Sequence, residues 1–267
     1  MSVCLRGSAA LPLTVRCLDG FQVQCGSNPI SIKRWGRKKV SLLFQYLLVA
    51  RYPVVGANLL EEFWPHLTIK AARHNLAVTL YNLRRVLEPS LQSGEKSNYI
   101  LYQGDLLQLN WDAIAYYDVD ELLTRRREGL RLLDKGMIEE AVSEFESALD
   151  IYKLDFLADC VEQPWIADER SRLHNAYLDI LEHLSRGLLM LHRYREASQY
   201  ADCLVRFNPS CVEGHRVLME AQMALGHRSR ALIQYQLCCE ILEREWGIGP
   251  SPKTRELYLR IANGEDR

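Results

Sequence analysis

The chain has 267 residues, 48% of them hydrophobic and 25% charged, which excludes a disordered chain and allows one large domain or two medium ones. The net charge of −1 conceals an asymmetry, because residues 1–110 carry 13 Lys and Arg against 6 Asp and Glu, whereas residues 111–267 carry 20 against 28. We therefore predict two domains, 13–110 and 111–267, with different partners, the basic one facing a polyanion.

Residues 1–12 contain one arginine and no sustained apolar segment, so we expect a flexible N-terminus rather than a secretory signal. No apolar run approaches the roughly 20 residues that cross a bilayer, and no membrane partner is expected. Eight cysteines occur without a CxxC pair or a spacing typical of metal ligands. Reduced, buried thiols in a cytoplasmic protein, with no metal and no cofactor, explain them best.

Strands are predicted at the start of the basic domain. Residues 13–18 (LTVRCL) and 21–25 (FQVQC) alternate apolar and polar side chains. Asp19-Gly20 between them is typical of a two-residue hairpin turn. A short third strand is predicted around Ile30–Ile32.

Two helices are predicted next. The first has an apolar stripe at helical spacing and ends before Tyr52-Pro53. The stripe consists of Val40, Leu43, Phe44, Leu47 and Leu48. The second helix, residues 57–65, is short and ends at Pro65.

Five cations lie at or just before the N-terminus of the first helix: Lys33, Arg34, Arg37, Lys38 and Lys39. Cations at this end interact unfavourably with the helix dipole, so the helix itself does not explain their presence. A bound phosphate would explain it, because free backbone N–H groups and nearby cations together bind anions. The alternative is a solvated basic loop.

A third helix is predicted over residues 71–89, and a β-hairpin over 97–110 with Gly104-Asp105 as its turn. The apolar stripe of this helix consists of Leu76, Leu80, Leu83 and Leu87. Its other face carries Arg73, His74, Asn75, Val78, Tyr81, Asn82 and Arg85. Arginine and asparagine hydrogen-bond base edges in a major groove, although they are also ordinary solvent-facing residues.

Three helices followed by a hairpin are the layout of a winged helix, whose third helix enters the major groove. The segment VTLYNLRRVLEP adds a specific pattern at Val78, Leu80, Leu83, Arg84, Leu87, Glu88 and Pro89, with Arg85 as a conservative match. These residues resemble the third helix of the OmpR/PhoB-type winged helix, roughly V-H-I-R-R-L-R-K-x-L-E-P. Thr79, Tyr81 and Asn82 replace its His, Arg and Arg, and the hairpin has no Arg or Lys. We expect this helix to read a different DNA sequence, or to use fewer charged contacts.

The acidic domain is predicted to consist of helical repeats. Three segments share a polar turn, an alanine and then an apolar helical stripe, with the alanines at Ala141, Ala197 and Ala231. Ala197 and Ala231 are separated by the tetratricopeptide period of about 34 residues. An insertion around ADCVEQPWIADER interrupts the array. Such repeats stack into one core with a concave binding surface; a plain helical bundle is the alternative.

The last segment, EILEREWGIGPSPKTRELYLRI, carries a second pattern at Glu245, Gly247, Pro250, Ser251, Pro252, Leu257, Tyr258 and Ile261. It closely resembles the end of the bacterial transcriptional activator domain, with Trp246 in place of the usual Leu. The insertion FLADCVEQPW also resembles that domain. A winged helix followed by this domain is the layout of the Streptomyces antibiotic regulatory protein family. The expected fold is therefore mainly α with small β elements: a winged helix-turn-helix and then an all-α tetratricopeptide-like domain.

No GxxxxGK[ST], GxGxxG, HExxH or GxSxG motif is present, and no paired carboxylates face one another, so an enzyme is not expected. With no phosphoacceptor domain before the winged helix, aspartyl phosphorylation within this chain is not expected either. We expect a cytoplasmic, nucleoid-associated transcriptional activator. The alternative is a tetratricopeptide-type adaptor or ligand sensor whose winged helix serves protein contacts.

The expected site residues fall into three groups. Base edges are assigned to Arg73, Asn75, Thr79 and Asn82. Phosphates are assigned to Lys33, Arg34, Arg37, Lys38, Lys39, Arg84 and Arg85. The family resemblance implies binding to promoter direct repeats, a homodimer on double-stranded DNA, and recruitment of RNA polymerase partly through Pro65, His66, Leu67, Thr68 and Ile69. A small-molecule effector in the repeat domain is a further expectation.

Overall fold

A computed structural model describes residues 11–92, 94–160 and 163–264. The predicted flexible segment 1–12 lies almost wholly outside these residues. The chain divides into two compact units. The first unit runs to Val119 and also includes Leu154–Arg170, whereas the second comprises Asp120–Lys153 and the residues from Ser171 onward. The first unit therefore includes sequence on both sides of the boundary predicted after residue 110.

Seven strands lie in the described part of the first unit: β1 Leu13–Arg16, β2 Gln22–Cys25, β3 Asn28–Pro29, β4 Val54–Val55, β5 Ile100–Gln103, β6 Leu106–Leu109 and β7 Ile114–Tyr117. They form two sheets with the orders β3-β2-β1-β7 and β4-β6-β5. Both predicted hairpins are confirmed, since β1 pairs antiparallel with β2 and β5 with β6. The third strand was wrongly placed, because β3 lies before Ile30.

Four helices lie in the described part of the first unit: α1 Ile32–Trp35, α2 Lys38–Ala50, α3 Gly56–Phe63 and α4 Ile69–Leu87. The three predicted helices correspond to α2, α3 and α4. The short α1 is additional and is separated from α2 at Gly36, whose φ of +65° lies in the left-handed region that glycine tolerates. α2 and α3 both contact α4, so these three helices form a cluster. The hairpin β5–β6 follows this cluster in the chain. The winged-helix layout is confirmed.

α4 buries three of the four residues of the predicted stripe, Leu76, Leu83 and Leu87. Its buried residues are Ala72, Leu76, Thr79, Leu83, Val86 and Leu87. Leu80 is only partly buried, so its assignment to the core stripe was wrong. The leucine spacing therefore predicted the buried face of α4 correctly except at Leu80.

The second unit is helical: α5 Asp118–Asp134, α6 Ile138–Ile151, α7 Ala167–Met190, α8 Tyr194–Phe207, α9 Val212–Ala224, α10 Arg228–Trp246 and α11 Pro252–Asn263. α5 and α7 each begin in the first unit. Ala141, Ala197 and Ala231 are fully buried, as the repeat pattern predicts. Close helix contact is visible at Gly214, where a Cβ atom would lie 2.9 Å from Val205 Cγ1. Among the described residues, no helix is both long and apolar enough to cross a membrane.

Candidate nucleic-acid interface

The third helix of the winged helix, α4, presents one continuous exposed stripe. Arg73, His74, Ala77, Tyr81 and Arg85 are all exposed along it. Positions four residues apart lie one above another on a helix, so these side chains form a single face about three turns long. Its guanidinium, imidazole and phenol groups can all donate hydrogen bonds to base or phosphate oxygens.

Three of the four residues assigned to base reading lie on or beside this stripe. Arg73 is exposed, and Asn75 and Asn82 are partly exposed. Thr79 is only 8% exposed, and its hydroxyl donates to the Asn75 carbonyl at 2.7 Å. The assignment of Thr79 to base reading was wrong, because its only polar atom faces the helix backbone on the buried side.

The cations assigned to phosphate surround the start of α2. Lys33, Arg37 and Lys38 are exposed, and Arg34 is partly exposed. The first turn of α2 contains no acidic residue, and no side chain caps its N-terminus. Its free N–H groups and these cations therefore make a positive region with no carboxylate in that turn.

Lys39 has a role inside the fold instead. Its amino group donates to the carbonyl of Phe63 and lies 4.9 Å from the centre of the Trp64 ring. Phe63 ends α3, so the cation compensates the negative end of that helix dipole and adds a cation–π contact. Lys39 is nevertheless exposed, so its assignment to phosphate stays a prediction, with these partners in the chain competing for the ammonium.

A cavity of about 460 Å³ lies between α3, α4 and the turn of the β5–β6 hairpin. Leu60, Leu76 and Leu80 line it, and Arg73 and Arg84 add two cations. The Arg84 Nε is occluded and has no hydrogen-bond partner among the described residues. An occluded, unpaired cationic donor is unfavourable, which makes Arg84 the residue here that most needs an anion.

Two tyrosines stand at the edge of this cavity. Tyr81 on α4 is 60% exposed and Tyr102 on the hairpin is 50% exposed. The hairpin turn is held against α3, because the Gly56 N–H donates to the Asp105 carbonyl at 2.8 Å. The aromatic edge was missed in the sequence because long-range contacts, including the pairing of β4 with β6, bring Tyr102 to this cavity.

The loop assigned to RNA polymerase lies between α3 and α4. All five of its residues are exposed, including Leu67 at 44% and Ile69 at 70%. Thr68 caps α4 by accepting a hydrogen bond from Ala71 N at 3.4 Å. The loop thus offers two apolar side chains to a partner while its geometry is fixed by a helix cap.

The insertion between α6 and α7 packs on the first unit. The Leu154 N–H donates to Leu18 O at 2.7 Å, and the Leu157 N–H donates to Cys17 O at 2.9 Å. The Trp165 ring lies edge-on to Tyr46 of α2, with 5.2 Å between ring centres. This segment is therefore an integral part of the winged-helix unit.

Asp118 and Arg170 complete this arrangement. Asp118 Oδ2 accepts from Cys17 N at 2.6 Å and from Leu18 N at 2.8 Å, so both backbone groups of each residue are paired. The Arg170 guanidinium donates to the carbonyls of Phe156 at 3.1 Å, Leu157 at 3.1 Å and Cys160 at 3.4 Å. Burial raises the pKa of Asp118, against the lowering effect of its backbone donors.

The cysteines of the described residues are all free thiols. Cys17 and Cys238 are buried, whereas the other five are partly exposed, so burial was predicted correctly only for these two. Within the same residues, no cluster of three or more His, Cys, Asp or Glu side chains could hold a metal ion.

Comparison with known proteins gives one family match and several relatives. The family described as Bacterial transcriptional activator domain matches residues 117–262. Transcriptional regulatory protein MoaR1 of Mycobacterium tuberculosis is 25% identical over 233 residues, which cover 85% of this chain and 72% of the relative. Regulatory protein DnrI of Streptomyces peucetius is 27% identical over 253 residues, which cover 91% of this chain and 90% of DnrI.

A solved structure shares the fold. Mycobacterium tuberculosis EmbR, in complex with a low affinity phosphopeptide, matches with a TM-score of 0.79 and 18% identity. The match covers 94% of this chain but only 65% of the EmbR chain, which is less than two thirds of its length. At this identity the likeness concerns the fold alone.

Proposed function

Because this chain belongs to the bacterial transcriptional activator domain family and is a transcriptional regulator of the Streptomyces antibiotic regulatory protein type, we propose that it activates promoters by binding DNA through α4. The observation that carries this proposal is the exposed stripe Arg73, His74, Ala77, Tyr81 and Arg85 on the third helix of a winged helix. The excess of cations in residues 1–110 supports it.

In this proposal, Arg73, Asn75 and Asn82 hydrogen-bond base edges in the major groove. Arg84 and Arg85 hold phosphates beside the helix. Arg84 is favoured because its Nε is occluded and unpartnered among the described residues. Tyr81 and Tyr102 lie at the edge of the cavity, where lysine or arginine would add charged contacts. With tyrosines there, contact with DNA at this edge depends less on charge.

A second phosphate site is proposed at the start of α2. Lys33, Arg34, Arg37 and Lys38 surround a helix N-terminus that has no acidic residue in its first turn. Phosphate contacts fix the position of a protein on the duplex, whereas base contacts select the sequence. This site would hold the winged helix in register while α4 reads bases.

Recruitment of RNA polymerase is assigned to the loop Pro65–Ile69. Leu67 and Ile69 are exposed apolar side chains on a capped turn next to the reading helix. A rigid loop in this position could contact polymerase bound at the same promoter. We further propose that two protomers bind direct repeats in promoter DNA at the nucleoid.

Selection of binding sites from a pool of random duplexes, with the full chain, tests the proposal. The expected product is a pair of direct repeats spaced by about one or two turns of DNA, roughly 10 to 21 base pairs. Enrichment of a single half-site would contradict the two-protomer arrangement. No enrichment, with affinity independent of salt, would contradict DNA binding and favour an adaptor whose winged helix contacts protein.

A further inference from the structure

A second cavity lies wholly within the helical second unit and has a volume of about 620 Å³. Its apolar lining comes from Leu189, Met223, Leu257 and Ile261. Leu257 and Ile261 belong to the buried core where α11 packs, so the cavity floor is part of a rigid structure. The volume lies within the usual range of small-molecule sites, roughly 300 to 1,000 Å³.

His192 lines this cavity in a strained backbone conformation. Its φ is +59°, whereas the corresponding turns of the neighbouring repeats have Gly136 at +74° and Gly226 at +77°. All three turns close with the same bond, from the next N–H to the carbonyl five residues earlier. A residue with a Cβ is less favourable than glycine at this φ, although histidine adopts it more readily than most residues and Arg51 ends α2 at +60°.

The His192 side chain is exposed, and one hydrogen bond orients its ring. Its Nδ1 lies 2.6 Å from the Tyr194 hydroxyl, which also lines the cavity. A fixed Nδ1 sets the ring orientation and leaves Nε2 without a partner among the described residues. Strained residues held by their surroundings concentrate at binding sites, and this one carries a ring nitrogen available to a ligand.

Two charged side chains complete the lining. Glu220 on α9 is partly buried and Arg260 on α11 is exposed. Neither makes an ion pair within the described residues, although many charged side chains of this unit do. The cavity therefore offers a cation, an imidazole nitrogen and a carboxylate around an apolar floor.

We propose that this cavity binds a small organic acid with an apolar body and one hydrogen-bond donor. The acid group pairs with Arg260 and His192 Nε2, the donor pairs with Glu220, and the apolar body covers Met223 and Leu257. Such a site would give the regulator an effector pocket. It does not depend on the proposed DNA surface, so either proposal can fail without the other.

Anilinonaphthalene sulfonate is a suitable probe, because it combines an anionic group, an aromatic body and one N–H donor. Binding to the full chain is followed by fluorescence and by the NMR signals of isotope-labelled methionine methyl groups. Met223 lines the cavity, whereas Met137 is an exposed methionine at the start of α6 and serves as the internal control. The expected result is one saturable site at which the Met223 signal shifts and the Met137 signal does not.

Two variants make the test specific. His192→Gly removes the ring and relieves the left-handed strain, so its thermal midpoint should equal or exceed that of the parent chain. Affinity for the probe should nevertheless fall by at least about fivefold, as expected for a lost hydrogen bond to a charged group. Arg260→Ala should weaken binding by about tenfold or more through loss of the cation.

Arg195→Ala is the matched control, because Arg195 is exposed on α8 and does not line the cavity. Its affinity should equal that of the parent chain. Equal affinity in His192→Gly and Arg260→Ala would overturn the proposal. The absence of a saturable Met223 shift, or an equal shift at Met137, would overturn it as well.

Discussion

The Oδ2 atom of Asp118 lies 2.6 Å from the backbone nitrogen of Cys17, a residue 101 positions earlier in the chain. The same oxygen accepts from Leu18 N, while the carbonyls of Cys17 and Leu18 accept from Leu157 and Leu154. The buried segment Cys17-Leu18 thus binds both Asp118, directly after β7, and the start of the insertion. The winged-helix unit depends on residues that follow the predicted domain boundary.

Asp118→Ala should destabilise the first unit by about 2–5 kcal/mol, since two buried N–H groups lose their acceptor at roughly 1–3 kcal/mol each. Urea unfolding followed by tryptophan fluorescence measures this, because Trp35, Trp64, Trp111 and Trp165 lie in the first unit. Asp112→Ala, at an exposed aspartate of the same unit, should change stability by less than about 0.5 kcal/mol. Equal effects of the two variants would contradict the role of Asp118.

Stability should also depend on pH through Asp118. Burial raises the pKa of this carboxyl above its usual value of 3.8. Its protonated form is therefore favoured by folding, and its contribution is complete below the usual value and declines as pH rises through the folded pKa. The difference in unfolding free energy between the parent chain and Asp118→Asn should therefore fall as pH rises from the usual pKa of an aspartate through the raised pKa of Asp118. A difference that grows with rising pH would contradict the sign of the shift.

Arg170→Lys should destabilise the insertion although it keeps the charge. A lysine ammonium cannot reproduce the fork that donates to Phe156, Leu157 and Cys160 carbonyls, so a loss of about 1–3 kcal/mol is expected. Amide hydrogen exchange within residues 154–160 would rise in the variant. Unchanged exchange there would mean that the guanidinium does not hold the segment.

Elements set by local sequence were predictable. The turns at Asp19-Gly20 and Gly104-Asp105 each need only two residues, and the helices follow from apolar periodicity. Tertiary contacts decided the rest. The roles of Asp118 and Arg170 could not be predicted because their partners are backbone groups of segments that the fold brings together.

The candidate site was predictable in outline but not in detail. Arg73 and Arg85 lie on the exposed face as their helical spacing implies. Thr79 was misassigned because leucine spacing placed Leu80 in the core, whereas packing buries Thr79 and leaves Leu80 at the cavity. The contact of Lys39 with the Phe63 carbonyl could not be predicted because that acceptor belongs to another helix.

Lys39 and Arg37 should differ in their effect on DNA binding. Arg37→Ala should weaken binding to all duplexes and reduce the slope of log affinity against log salt by about 0.9, the value for one phosphate contact. Lys39→Ala should leave that slope unchanged and instead lower the unfolding free energy, because its ammonium is paired with Phe63 and Trp64. A reduced slope in Lys39→Ala would show that this cation reaches phosphate after all.

Base reading by α4 is tested by the affinity of the Arg73→Ala variant of this chain for DNA. Fluorescence anisotropy would compare the selected promoter site with a scrambled duplex of equal length, using Arg195→Ala as the control. We expect a loss of about 1–3 kcal/mol on the selected site, little change on the scrambled duplex, and no change in the control. Equal losses on both duplexes, or no loss on either, would contradict the assignment of Arg73 to base reading.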